Sequence, residues 1–74
     1  MKVAYYPETD SLYIELSATP AADSVEVVEG VVIDVDARGV PVGIGIDPAR
    51  GVVDLESIDL RLWQGDREKV GSAG

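Results

Sequence analysis

The apolar residues of this chain fall in short, valine-rich runs, of which "LYIEL" alternates most clearly. The runs "KVAYY", "LYIEL", "SVEVV", "GVVIDVD" and "VPVGIGID" all read as strands, and no long segment repeats its apolar residues at the helical spacing of three and four. Valine dominates the runs and phenylalanine is absent. A branched Cβ suits a pleated sheet and is stiff in a helix. Gly, Pro and Asp punctuate the runs, as turns require. The pattern predicts a mainly β protein, α+β at most. Its form is an antiparallel meander of four to five strands ending in a short C-terminal helical turn.

Turn chemistry proposes the registers. In "YPETDS", Pro7 has the fixed φ wanted at the second position of a turn. A loop from Pro7 to Asp10 sets Tyr5 against Leu12, Val3 against Ile14 and Lys2 against Glu15. Tyr5 then shares the apolar face, while Tyr6 and Tyr13 lie on the other. In "VVIDVDARGVPVGI", Asp36 starts a turn and Gly39 ends it with positive φ. A four-residue loop pairs Val35 with Val40, Ile33 with Val42 and Val31 with Ile44. A three-residue loop would set Asp34 against Val42 and mix the faces, so the four-residue loop is preferred. At Glu29–Gly30 two readings compete. One is a single long strand with a kink or bulge there, which frees Glu29 from the core. The other is a tight hairpin, which pairs Glu26 with Ile33 and Val25 with Asp34. The mixed polarity of the hairpin favours the bent strand.

Beyond Asp47–Pro48 the alternation stops, because Pro48 cannot donate to a central ladder. Asp54 suits the N-cap of a brief helical turn over Leu55 to Ile58. "LRLW" is a short strand or an extended segment laid on the sheet. Residues Val53, Leu55, Ile58, Leu60, Leu62 and Trp63 are then available to cover part of the apolar face. Residues 1–63 form one β-rich domain and 64–74 a flexible tail.

A chain of 74 residues rarely gains more than about 3–5 kcal/mol from a single core. Cysteine and histidine are both absent. Disulfides and the usual zinc ligand sets are therefore excluded. Self-association, as a homodimer, is the expected supplementary support. The net charge of −8 disfavours direct nucleic-acid binding, which needs a basic footprint. The same charge suits a basic protein partner, or solubility alone. No apolar run is long enough to span a bilayer and the first residues do not read as a signal peptide, so a cytoplasmic location is expected.

The second sheet face is the candidate site. It is expected to carry Ala4, Tyr6, Tyr13, Glu15, Val28, Val32, Asp34, Pro41, Gly43 and Gly45. Gly43 and Gly45 expose a strip of bare backbone, which marks close approach by a ligand or another chain. Tyr13 and Asp34 flank it. Tyr6, Asp10, Tyr13, Asp34, Gly43 and Gly45 are the candidate binding residues. The plainer reading is a solvated face whose glycines relieve packing against the C-terminal segment. Asp34, Asp36 and Asp47 form no converging loop of oxygen ligands, so no metal and no cofactor are expected. The serines have no histidine to activate them, and "GVPVGIG" precedes no helix, so it is not a phosphate loop. Catalysis is not expected.

These residues carry a resemblance. "YYPETDSLYIEL", "VVIDVDARGVPVGIGI" and "GVVDLESI" together resemble the small prokaryotic proteins grouped as domain of unknown function 2283. Asp10, Leu12, Tyr13 and Ile14 match the first block of the family pattern, and Asp34, Asp36, Gly39, Gly43, Ile44 and Ile46 the second. Gly45 departs from it, since an acidic residue is usual there. The resemblance covers residues 2 to about 58. It implies no activity, and some members look like the antidote half of small toxin–antitoxin pairs. The leading expectation is a non-enzymatic, antitoxin-like interaction module with a basic partner. The alternative is a small-ligand or metal-binding domain using Tyr13 and Asp34.

Overall fold

A computed structural model describes residues 1–62. Five strands form one antiparallel sheet: β1 (Lys2–Tyr6), β2 (Ser11–Glu15), β3 (Asp23–Val28), β4 (Val31–Val35) and β5 (Pro41–Ile46). The described residues contain no helix. The expected mainly β, antiparallel character is therefore present. The order is β1-β2-β5-β4-β3, which corrects the plain meander. The chain leaves β2, crosses to the far edge through Leu16–Ala22, and returns strand by strand until β5 lies beside β2. This is a Greek-key path.

The first hairpin has the expected register, with Tyr5 opposite Leu12, Val3 opposite Ile14 and Lys2 opposite Glu15. Thr9 N donates to Tyr6 O at 3.3 Å, so Pro7 does occupy the second position of the turn. Asp10 completes the loop with a φ of 54°, a region that aspartate tolerates better than most residues.

The single bent strand at Glu29–Gly30 is corrected to a hairpin. Val28 lies opposite Val31, and Gly30 supplies a φ of 89° at the third position of the turn. The polarity problem is solved two residues away. The register shifts between Glu26 and Val28, so Val27 is an extra, bulged residue. Val25 then faces Ile33, and Ser24 faces Asp34.

The turn at Asp36–Gly39 forms where expected: Gly39 N donates to Asp36 O at 2.9 Å, and Gly39 has a φ of 83°. Its register is corrected. Asp36 N donates to Val40 O at 2.9 Å and Val35 faces Pro41, so the three-residue loop holds beside the turn. A second bulge, at Val42, then restores the faces, and Ile33 lies opposite Ile44 rather than Val42. Asp36 is 6% exposed. Its Oδ1 accepts from Arg38 N at 2.8 Å and Val40 N at 2.9 Å, so this carboxylate builds the turn.

The two registers lay down complete rows across the sheet. Val3, Ile14, Ile44, Ile33 and Val25 are successive neighbours from edge to edge, and so are Tyr5, Leu12, Ile46, Val31 and Val28. The C-terminal segment reaches the end of the face that carries the second row. Ala49 N donates to Asp10 O at 2.8 Å, and Arg50 Nε donates to the Tyr5 hydroxyl at 3.2 Å. Leu12, Val42 and Ala49 are the buried apolar residues among those described. Val53 and Leu55 are half-buried, whereas Ile58, Leu60 and Leu62 are exposed, which corrects their expected place on the sheet. At Leu55 to Ile58 the chain makes one turn, with Asp54 accepting Glu56 N at 3.1 Å. Trp63 and the expected tail at 64–74 lie outside the described residues. Among the described residues no helix is long and apolar enough to cross a membrane.

Candidate functional site

Tyr13 on β2 and Asp34 on β4 are separated by β5, and Gly43 lets them meet. Tyr13 sits opposite Gly45, and Asp34 sits opposite Gly43. The tyrosine ring runs diagonally over β5. A Cβ built at Gly43 would overlap the Tyr13 hydroxyl and stand 2.5 Å from its Cζ. Gly43 is thus bare because Tyr13 lies on it, not because of packing against the C-terminal segment. The hydroxyl donates to Asp34 Oδ2 at 2.8 Å, and Ser24 Oγ donates to Asp34 Oδ1 at 2.7 Å. One chain of hydrogen bonds therefore ties β2 to β4 and β3 across β5.

The electrostatics follow from this geometry. Donation by Ser24, and then by Tyr13, holds the Asp34 carboxyl below the usual aspartate range, against a smaller opposing effect of burial. The Tyr13 phenol is pushed above its usual range, first by its hydrogen bond to Asp34, then by desolvation and by the charges of Asp34 and Glu15. Both carboxylate oxygens of Asp34 are engaged by protein donors.

Beside this bridge lies an open hollow of about 590 Å³. Tyr6 and Tyr13 stand on one side of it and Glu26 on another, with Val32 and Gly45 between and Asp47 at the end. A Cβ at Gly45 would make only ordinary contact, at 3.7 Å from Tyr13 Cδ1. Its absence deepens the hollow and is not forced by packing. Asp47 also accepts from Ser11 Oγ at 3.1 Å.

Of the six sequence-expected residues, the fold brings Tyr6, Tyr13 and Gly45 together in the hollow, with Asp34 and Gly43 joined to it through Tyr13. Asp10 stands apart. Its carboxylate accepts from the Tyr5 hydroxyl at 2.7 Å and from Arg50 N at 3.3 Å, and pins the C-terminal segment. Among the other expected members of this face, Val28 pairs with Val31 on the apolar side, and Pro41 pairs with Val35 beyond the Val42 bulge. Ser24, Glu26 and Asp47 were not among the expected residues. Ser24 and Glu26 become visible only once the Glu29–Gly30 hairpin and its bulge are known. Among the described residues no group of three or more His, Cys, Asp or Glu side chains could hold a metal ion.

No curated protein and no solved structure matches the chain. The model of the family described as "Protein of unknown function (DUF2283)" matches residues 2–50, more than half of the 74 residues, and the chain belongs to that family.

Proposed function

We propose that this chain is a non-enzymatic, cytoplasmic protein-interaction module that binds a basic protein, with antitoxin-like pairing to a small basic toxin as its most concrete form. The hollow carries this reading. Two tyrosine rings stand with the carboxylates of Glu26 and Asp47, and neither carboxylate is ion-paired to a base among the described residues. Aromatic faces and carboxylates together suit a lysine or arginine side chain. The net charge of −8 steers a partner of opposite sign and speeds encounter.

The test pairs the chain with small basic proteins encoded beside it. Co-expression is expected to relieve growth arrest caused by such a protein. Complex formation is expected to weaken about tenfold on Glu26→Gln with Asp47→Asn. Isolation from native cells with no basic protein attached, and no relief of arrest, would sink the reading.

A small cationic molecule is the second reading, because the volume lies in the range of small-molecule sites. It would use Tyr6, Tyr13 and Glu26, which line the hollow, whereas Asp34 is joined to it through Tyr13. Calorimetric titration with divalent cations and a panel of cationic metabolites checks it, and flat traces remove it.

A further inference from the structure

The row Val3–Ile14–Ile44–Ile33–Val25 crosses all five strands and is not closed off from solvent. Its ends, Val3 and Val25, are 53% and 51% exposed, and its three isoleucines are half-buried. The neighbouring row, at Tyr5 and Leu12, is where the segment from Ala49 is tied down. We propose that the uncovered row is the contact between two copies of this chain, packed face to face as a twofold sandwich.

Three observations select a second copy as the occupant. The first is symmetry. The row reads valine, three isoleucines, valine from either edge, and β5, which carries Ile44, is the central strand. A twofold axis through the centre therefore sets valine over valine and isoleucine over isoleucine, with Ile44 facing itself. An isologous interface needs this self-complementarity. The second is charge. No residue of either row is charged, so these rows offer nothing to a basic partner, and the carboxylates of the hollow lie on the opposite face. The third is the thin core. Among the described residues no large side chain is fully buried, and a second sheet about 10 Å away supplies the missing layer.

The dimer contact and the basic-partner hollow lie on opposite faces, so either can fail without the other. Sedimentation of the purified full chain is expected to give twice 7.8 kDa at micromolar concentration. Added salt is expected to tighten this dimer several-fold, because two chains of like charge are being screened. Salt would weaken a complex with a basic protein. Val3→Lys with Val25→Lys changes two side chains already half in water, so the monomer fold survives, as circular dichroism would verify. The dissociation constant is expected to rise at least tenfold, although the net charge falls. The chain has no cysteine, so Ile44→Cys places one thiol per copy at the predicted axis. It is expected to cross-link on mild oxidation at least tenfold faster than Ala37→Cys in the exposed turn, and to lose this advantage in denaturant. A wild-type monomer at all concentrations, an undisturbed dimer in the double-lysine variant, or equal cross-linking at the two positions would overturn the proposal.

Discussion

The ring of Tyr13 occupies the space that a side chain at Gly43 would fill. The two residues are on neighbouring strands, and the tyrosine uses the gap to reach Asp34 one strand further on. Gly43→Ala is therefore expected to destabilise the fold by roughly 1–3 kcal/mol, the range for overpacking. In a Tyr13→Ala background the same substitution should cost less than about 1 kcal/mol. Urea denaturation of the four corners of this cycle measures the coupling.

The Tyr13–Asp34 bridge gives stability an acid and an alkaline limit. The folded Asp34 carboxyl titrates below its unfolded value of about 3.9, so its contribution is present above that pH and fades as pH falls through the lower folded value. The folded Tyr13 phenol titrates above its unfolded value of about 10. Its contribution is complete below that pH and fades as pH rises through the raised value. Tyr13→Phe should remove this tyrosine's alkaline loss and make the acid limb shallower, since Asp34 loses a donor. Thermal melts from pH 2 to 11 would show both changes. An unchanged pH profile would mean that the bond does not persist in solution.

Asp36 is buried and accepts two backbone N–H groups. Asp36→Ala leaves the Arg38 and Val40 amides without their acceptor, at a cost of roughly 1–3 kcal/mol. Asp36→Asn keeps an acceptor oxygen and should cost clearly less. Asp54→Ala, at an exposed turn, should fall within about 0.5 kcal/mol of the parent protein. Chemical denaturation of the three variants side by side gives the ranking.

Asp10 holds the C-terminal segment in place. Arg50→Ala removes an exposed ion pair at 3.9 Å and should cost at most about 1 kcal/mol globally. Asp10→Ala loses the acceptor for Tyr5 and Arg50 and places alanine at a φ of 54°, so it should cost roughly 1–2 kcal/mol more. Hydrogen exchange at the Ala49 amide, which bonds to Asp10 O, should quicken in both variants before the β5 amides respond.

Strand positions, the first register and the faces away from the two bulges are legible in alternation and turn residues, whereas the places of Val28, Pro41, Ser24 and Glu26 are not. The Tyr13–Asp34–Gly43 grouping follows from them, because face parity alone puts the three on one side. Two features are hidden for a single reason. Each of the other hairpins uses a turn that would mix polar and apolar residues if the strands ran on regularly, and each repairs this with one inserted residue, Val27 or Val42. A rule that rejects mixed faces discards the correct turn when a bulge lies two or three residues beyond it. Valine looks the same in a bulge as in a ladder, so the sequence carries no mark of either insertion. The crossing from β2 to the far edge is hidden for another reason: strand neighbourhood depends on long-range pairing, and Leu16–Ala22 is long enough to permit either order.

The Val27 bulge also has a bearing on how the chain behaves in a crowded solution. β3 is an outer strand, exposed along its whole length, and a straight strand of that kind is a template on which further chains can stack by backbone pairing. The inserted residue interrupts the regular spacing of its outward amides, and Asp23, Glu26 and the adjoining Glu29 add repulsion to any neighbour approaching edge-on. Removing Val27 would straighten this rim, and the same valine-rich composition that builds the sheet would then favour fibre growth.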